Sequence, residues 1–593
     1  MTPYYPPVRD TLFVIEDVLE FEKYRGIEAF SLVDAETMEA VVSEAGKFCA
    51  EVIAPLNQNA DAQGCTRHED GSVTTPDGFK EAYASLVEAG WGTLAQPEEF
   101  GGQGMPHVLN SVFEEYMNGA CAGFTMFSGI MQGAVATVNS AGTDELKAAY
   151  LPQMVAGEWL ATMALTEAHA GTDLGLMRTR AEKQDDGSYT ITGEKVFISG
   201  GEQDLTDNII HLVLARVPDA PVGTRGISLF LVPKVLEDGS RNAVSCGSIE
   251  HKMGLHGSAT CVMNFDGAKG WLLGKENMGL AAMFIMMNAA RLGVGTQGLG
   301  HAENSYQKAA AYALDRKQGR GMGERDKSAQ ADPLIVHPDV RRMLMDARAF
   351  AEGFRALILW TALHLDLSHH AETEEERQQA DAIVSFMTPV LKGFGTDRGF
   401  EVAVNMQQVY GGHGYVTEWG MEQIVRDARI AMIYEGANGV QALDLAGRKT
   451  AKDGGAVAKA FLAQIAADCD AAGEALAFIA DPLGKAVHHG EAAAKMLVEQ
   501  GATDPQDMAG ASYAWMQLVG VLAVGWMWLK QAKVAQAKLD AGEGDEGFLK
   551  AKLATAEFYA EQQLPLCTAL RHRVKAGAGA MLALAPDQFL RNL

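Results

Sequence analysis

Residues 404–445 read VNMQQVYGGHGYVTEWGMEQIVRDARIAMIYEGANGVQALDL. A glycine-rich turn at Gly411, Gly412 and Gly414 leads into a helical stretch that closes at Ile433-Tyr434-Glu435-Gly436. The Glu435 carboxylate stands between an aromatic residue and a glycine. Apolar neighbours raise a carboxyl pKa and suit the group to general-base work near neutral pH. Gly436, having no side chain, lets the backbone approach a ligand closely. A plain helix C-terminus is the alternative, since a final Glu and Gly need no chemistry. Spacing alone favours that alternative.

The motif resembles the C-terminal signature of the acyl-CoA dehydrogenases, in which Q-x-x-G-G-x-G-[YF] precedes IYEG by about one long helix. The matching residues are Gln408, Gly411, Gly412, Gly414 and Tyr415, then Arg426-Asp427-Ala428 and Ile433 to Gly436. The resemblance implies that Glu435 removes the α-proton of an acyl-CoA thioester, with Tyr434 and Gly436 beside the substrate. It implies FAD contacts for Gln408, Gly411 and Gly412. Ala437 stands where many relatives carry a cofactor-touching threonine, which leaves Asn438 as the polar candidate there.

A second signature lies upstream, MALTEAHAGTD at 163–173, similar to the family's A-L-T-E-x-x-A-G-[ST]-D. A threonine hydroxyl and the backbone N–H groups near Gly171 and Thr172 can donate to a flavin ring edge and a pyrophosphate. On the residues alone, a polar loop entering a strand is the alternative. The run KVFISGG at 195–201 is like the family's K-x-W-I-[TS]-N-G, with Phe197 for the usual Trp and Gly200 for Asn. By resemblance, Met163, Leu165, Thr166, Gly171, Thr172, Phe197, Ile198 and Ser199 contact FAD. Phe197 is expected beside the isoalloxazine and Ser199 near its reactive edge.

The apolar run 281–290 is broken by Arg291, which occupies the family position for a CoA-contacting arginine; an ion pair is the structural alternative. Ser258 and Asn288 join it as expected substrate contacts. Gly293, Gly295 and Gly298 form a G-x-G-x-x-G. No β-branched strand precedes it and no βαβ unit surrounds it, so a dinucleotide fold is rejected and close helix packing is expected. Residues 312–320 resemble Y-x-x-x-R-x-x-F-G, in which Arg316 meets a flavin pyrophosphate across a subunit interface. Gly319 replaces the aromatic, and a polar insertion at about 320–332 follows.

Length and composition set the frame. A chain of 593 residues exceeds one core. A net charge of −27 opposes a nucleic-acid partner, which needs clustered Lys and Arg. Seven scattered cysteines without C-x-x-C fit reduced thiols and suggest no metal site. The acid-bearing N-terminus is unlike a secretory or transit peptide, and the terminal LRNL is no peroxisomal address, so a bacterial cytoplasmic location is expected. Residues 508–529 are uncharged and long enough to span a bilayer. Their glycines and soluble flanks favour a buried helix over a membrane span.

Periodicity divides the chain into an N-terminal arm (1–34), a helical domain (35–160), a β-domain (161–275), a helical bundle (276–450) and an extra helical domain (451–593). Helical runs are expected at 35–54, 79–89, 108–117, 456–468 and 549–563, with 119–137 as a core helix and a ligand-pocket lining over part of it as the alternative. Strands are expected at 189–191, 195–198, 209–216, 227–233 and 260–265. The acidic run 372–377 reads as a solvated helix face or a connection. The fold class is mainly α with an inserted β-domain. By resemblance it is the acyl-CoA dehydrogenase fold, with a C-terminal four-helix bundle and an added helical domain.

The implied chemistry is FAD-dependent α,β-dehydrogenation by a dimer that passes electrons to an electron-transfer flavoprotein. The arm and extension resemble a long bacterial subfamily and imply 3-methylmercaptopropionyl-CoA as substrate. Methylthioacryloyl-CoA would be the product, within dimethylsulfoniopropionate demethylation. Short- or medium-chain acyl-CoAs are the alternative substrates, and an acyl-CoA oxidase using oxygen is the rival enzyme. A DNA-binding flavoprotein and a silent scaffold are opposed by the charge and by the intact Glu435.

Overall fold

The computed structural model describes residues 3–323 and 328–591. Residues 1–2, residues 592–593 of LRNL and residues 324–327 of the polar insertion lie outside them. The chain divides into two compact units, Ser43–Gly293 and Met1–Val42 with Val294–Leu593.

In chain order, the helices α1 (Val8–Leu12), α2 (Ala35–Phe48) and α3 (Asn57–Gln63) precede a two-residue hairpin, β1 (Thr66–Arg67) with β2 (Val73–Thr74). Then come α4 (Phe79–Glu88), α5 (His107–Ser128), α6 (Met131–Ala141) and α7 (Asp144–Val155). The core helix expected at 119–137 is therefore two. The chain breaks after Ser128, and Cys121 already departs from helical geometry at φ −156°, ψ 92°. Cys121 lies between Gly119 and Gly123, and all three have weak helix propensity.

The β-domain sheet contains β3 (Trp159–Ala164), β4 (Arg180–Lys183), β5 (Tyr189–Ser199), β6 (Asn208–Ala215), β7 (Ser228–Pro233), β8 (Val244–Ile249) and β9 (Thr260–Leu273). Its order is β3-β6-β7-β9-β5-β4, with β8 also on β9. The β3–β6 pair is parallel and the other pairs are antiparallel. The two short strands expected at 189–191 and 195–198 are one strand, whose register against β9 shifts between Lys195 and Ile198. That shift is a bulge, which bends a strand and re-aims a side chain. The strand β6 is buried at every position, including Asn208 and His211, which interrupt its otherwise apolar sequence.

The remaining helices are α8 (Gly279–Asp315), α9 (Pro338–His370), α10 (Glu374–Val409), α11 (Met421–Arg429), α12 (Asn438–Leu443), α13 (Ala456–Asp470), α14 (Ala477–Thr503), α15 (Pro505–Ala541), α16 (Glu546–Gln562) and α17 (Leu566–Ala576). The G-x-G-x-x-G lies inside α8. A Cβ on Gly295 would stand 3.0 Å from the Leu391 carbonyl, and one on Gly298 3.0 Å from that of Gly395. These glycines let α8 approach α10 backbone to backbone. The acidic run caps α10 through a reciprocal Thr373–Glu376 pair. Asp332 closes the insertion on itself, accepting from the Gly321 N–H at 2.8 Å and facing Arg320 at 3.4 Å.

By length and hydropathy, α15, α8 and the α5–α6 segment match membrane spans. In α15 the apolar stretch 514–529 is buried almost throughout, packed on α9, α10, α14, α16 and α17. A helix apolar all round is what the middle of a helical unit requires. Its fit on α10 is close: Cβ atoms on Gly393 and Gly520 would collide with Met516 and the Phe394 ring.

Candidate active site

Glu435 sits in a short loop between the helical turn Ile430–Met432 and α12. Its φ is +54°, and Gly436 follows at +86°. A left-handed glutamate is uncommon and persists only where its surroundings hold it. Those surroundings are visible. The Lys392 ammonium, on a fully buried side chain of α10, donates to the Gly436 carbonyl at 2.8 Å. The Gln441 amide of α12 donates back to the Glu435 and Gly436 carbonyls at 3.2 and 3.3 Å. The Tyr434 hydroxyl donates to Gln297 at 2.5 Å, and burial followed by the nearby Glu435 charge pushes its pKa well above the ordinary value. The carboxylate is thus borne by a fixed backbone.

Asn438 is buried at the start of α12. Its Oδ1 accepts from Lys392 at 2.8 Å, and its Nδ2 donates to Asp397 at 2.7 Å, Gly393 at 3.0 Å and Thr396 at 3.0 Å. Sequence reasoning had no part for Lys392, Gln441, Gln297 or Asp397. The one available signal was a lysine inside the apolar run 386–394.

In the β-domain, Glu167 organises the loop that carries Thr166, Gly171 and Thr172. Its carboxylate accepts from the N–H groups of Arg178 and Thr179 and from the Thr179 hydroxyl, at 2.7, 2.9 and 2.6 Å. The Lys195 ammonium completes the shell at 3.0 Å and also donates to the Leu165 carbonyl at 2.9 Å. Burial raises the Glu167 pKa, but Lys195 and these donors override it and lower it to about 2. Burial lowers Lys195 to about 8, even beside Glu167. The pair ties both motifs together, and the Val196 N–H donates to the Thr166 carbonyl at 2.9 Å.

The outcome is a platform. Phe197 points outward, 62% exposed at φ +61°, while Lys195, Val196 and Ile198 around it are buried. Met163, Leu165, Thr166 and Ser199 are half-buried near it, and Gly171 and Thr172 are exposed. Gly171 has no atom within 4 Å of where a Cβ would stand. An exposed, strained aromatic beside open backbone donors fits a flat polar ring carrying phosphates.

The other expected contacts fall in two further groups. Asn288 and Arg291 are neighbours on α8, with the guanidinium donating to Asn288 at 3.4 Å. Ser258, between β8 and β9, is buried with its hydroxyl unpartnered. Arg316 follows the end of α8, and Gln408, Gly411 and Gly412 lie exposed at the end of α10. These two ends are joined by an aromatic cluster. Tyr312 stacks on Tyr410 at 4.0 Å and bonds His413 at 3.0 Å, and His413 stacks on Trp419 at 4.3 Å.

The helices α4 to α7 enclose a cavity lined by Tyr83, Phe113, Met117, Met131 and Met154, with Glu114 as its acid. Burial raises Glu114 to about 7, although Asn110 donates to it at 3.1 Å. Among the described residues no three His, Cys, Asp or Glu side chains gather as metal ligands.

Family models cover most of the chain. The acyl-CoA dehydrogenase N-terminal, middle and C-terminal domains match residues 35–158, 162–268 and 277–450, and an acetyl-CoA dehydrogenase C-terminal-like model matches 461–585. A 3-methylmercaptopropionyl-CoA dehydrogenase of Ruegeria pomeroyi is 44% identical over 98% of this chain and 99% of its own. The broad-specificity linear acyl-CoA dehydrogenase FadE5 of Mycobacterium tuberculosis is 37% identical over 97% and 98%. The crystal structure of an acyl-CoA dehydrogenase complexed with FAD from Bacillus anthracis superposes with a TM-score of 0.72, at 21% identity over 90% of this chain and 87% of that one. With its helical, β and helical domain models matched in order and a relative aligned end to end, the chain belongs to the acyl-CoA dehydrogenase family.

Proposed function

We propose that this enzyme oxidises 3-methylmercaptopropionyl-CoA to methylthioacryloyl-CoA, with FAD as its cofactor and Glu435 as the base. The observation that carries the substrate is the 44% identity to the Ruegeria pomeroyi enzyme across both whole chains, arm and extension included. FAD, when bound, accepts the β-hydrogen as hydride.

The protein's own groups supply the rest. Glu435 takes the α-proton, and its fixed loop holds the carboxylate in one place as charge develops on the thioester oxygen. The backbone N–H of Glu435 is the proposed donor to that oxygen, which needs a preorganised partner. Phe197, Thr166, Ser199 and the N–H groups at Gly171 and Thr172 would hold the flavin, Arg316 would meet a flavin pyrophosphate across a subunit interface, and Gln408, Gly411 and Gly412 are further FAD contacts by family resemblance. Arg291, Asn288 and Ser258 bind the CoA thioester. The Met-rich cavity around Met117, Met131 and Met154 receives the short acyl tail, because polarisable thioethers pack well against irregular apolar groups. A homodimer, an electron-transfer flavoprotein acceptor and a cytoplasmic setting complete the proposal.

Anaerobic titration of the flavin absorbance tests it. Rapid bleaching by 3-methylmercaptopropionyl-CoA, slower with butyryl- and octanoyl-CoA, is the expected result. Preferential bleaching by a plain acyl-CoA would move the enzyme to fatty-acid oxidation. Oxygen consumption without a partner protein would make it an oxidase.

A further inference from the structure

Asp397 stands at the centre of a polar chain that begins in α15, a helix within the C-terminal 461–585 match, and ends next to Glu435. Its Oδ2 accepts from the Tyr513 hydroxyl at 2.5 Å and from the Gln517 amide at 2.7 Å, both on α15. Its Oδ1 accepts from Asn438 Nδ2 at 2.7 Å. Asn438 Oδ1 then accepts from Lys392, whose ammonium also holds the Gly436 carbonyl.

The chain has a direction. A carboxylate only accepts, so Asp397 fixes which end of the Asn438 amide faces it. That choice turns Oδ1 toward the Lys392 ammonium, which only donates. Were the amide reversed, its NH2 group would oppose Lys392 and its oxygen would oppose Asp397, two repulsive contacts in a buried place. Lys392 is thereby kept on the Gly436 carbonyl, and the left-handed turn at Glu435 and Gly436 is kept with it. Tyr513 and Gln517 hold Asp397 in return. Burial raises the Asp397 pKa, and the hydrogen bonds from Tyr513, Asn438 and Gln517 oppose that rise without cancelling it.

We propose that α15 positions the base: Tyr513 and Gln517 act through Asp397, Asn438 and Lys392 as positioning residues for Glu435. The inference rests on the reading of Glu435 as the base, and it gives the added C-terminal helices a part in the reaction. None of these five side chains touches substrate in this role. Their work is to fix the loop geometry, where a displacement of about 1 Å can cost about 100-fold in rate.

The test is stopped-flow flavin reduction by 3-methylmercaptopropionyl-CoA in holoenzymes carrying Tyr513→Phe, Tyr513→Phe with Gln517→Leu, and Glu435→Gln, with reoxidation of the reduced flavin by a dye measured alongside. The double variant is expected to lose about 10- to 100-fold in the reduction rate. Its substrate KM, flavin content, melting temperature and reoxidation rate should stay near wild type. Tyr513→Phe alone, on a half-exposed side chain, should lose less. The kinetic isotope effect on α-deuterated substrate should rise, because proton removal becomes the slower step. A double variant that reduces within twofold of wild type would overturn the proposal. So would a rate loss that follows flavin release or a fall in melting temperature. If Glu435→Gln itself reduces at a near-normal rate, the assignment of the base fails first, and the two failures are distinguished.

Discussion

Asp10 of the N-terminal segment and Lys552 of α16, 542 residues apart in the chain, form a buried ion pair. Lys552 also donates to Glu352 at 2.7 Å and Gln531 at 2.8 Å. The second Asp10 oxygen meets the buried Arg355, which reaches Glu303 at 2.7 Å. The two ends of the sequence are thus fastened into one network around α9.

Removing one member of such a network leaves uncompensated buried charge. Asp10→Ala is expected to cost about 3–5 kcal/mol of unfolding free energy, measured by urea denaturation at neutral pH. Burial raises the Asp10 pKa, but Lys552 and Arg355 prevail and hold it below the ordinary 3.8. A depressed carboxyl stabilises fully above its unfolded pKa and loses that contribution as pH falls through its folded value. The gap between wild type and Asp10→Ala should therefore be constant near neutrality and narrow only in strong acid. A gap that closes at mildly acidic pH would contradict this network.

Glu435→Gln keeps the size and hydrogen-bonding shape of the side chain and removes its basicity. Flavin content and acyl-CoA binding should persist, and turnover should fall by about 10²- to 10⁴-fold. Turnover within a few-fold of wild type would remove Glu435 from the chemistry.

Phe197 permits a separation of backbone strain from ring contact. Its left-handed φ of +61° costs about 1–2 kcal/mol for a side-chain-bearing residue. The ring is 62% exposed, so little burial is lost when it is removed. Phe197→Gly releases the strain and offsets it with added chain entropy, leaving the apoprotein melting temperature near wild type. Phe197→Ala keeps the strain and should melt no higher. Both should retain less FAD through dialysis, and undiminished retention would show that the ring does not meet the flavin.

The family was legible because each of its signatures is contiguous: IYEG, the 163–173 run and the 195–201 run are each read within a few residues. The helix–sheet–helix order was legible too, from the change of hydrophobic period near 160 and again near 276. What holds the motifs in place was not. Lys392 finds the Gly436 carbonyl 44 residues later, and Gln517 finds Asp397 across 120. Neither pairing leaves a local pattern. Glu167 and Lys195 stood inside the quoted motifs, yet their role as a buried hub rests on contacts 28 and 12 residues apart, to each other and to Thr179, which no run of residues announces. The break after Ser128 escaped for a similar reason. Small apolar residues fill a core equally well as one helix or two, and only the packing decides.

Glu114 supplies a prediction with an unusual sign. Burial raises its pKa from 4.5 to about 7, so the folded protein binds a proton more tightly there than the unfolded chain does. Stability from this group must then fall as pH rises between those two values and level off above the higher one. Most carboxylates act the other way. Comparing melting temperatures of wild type and Glu114→Gln at pH about 5 and about 8 isolates this ionisation: the glutamine variant lacks the decline and should be the more stable of the two at the higher pH. The same ionisation bears on substrate. A charge appearing in a cavity lined by Met117, Met131 and Phe113 disfavours an apolar acyl tail. If the cavity receives that tail, wild-type KM should rise as pH passes about 7, and Glu114→Gln should hold KM level over the same range. A KM that rises equally in both proteins would take the cavity out of substrate binding and leave Glu114 a matter of stability alone.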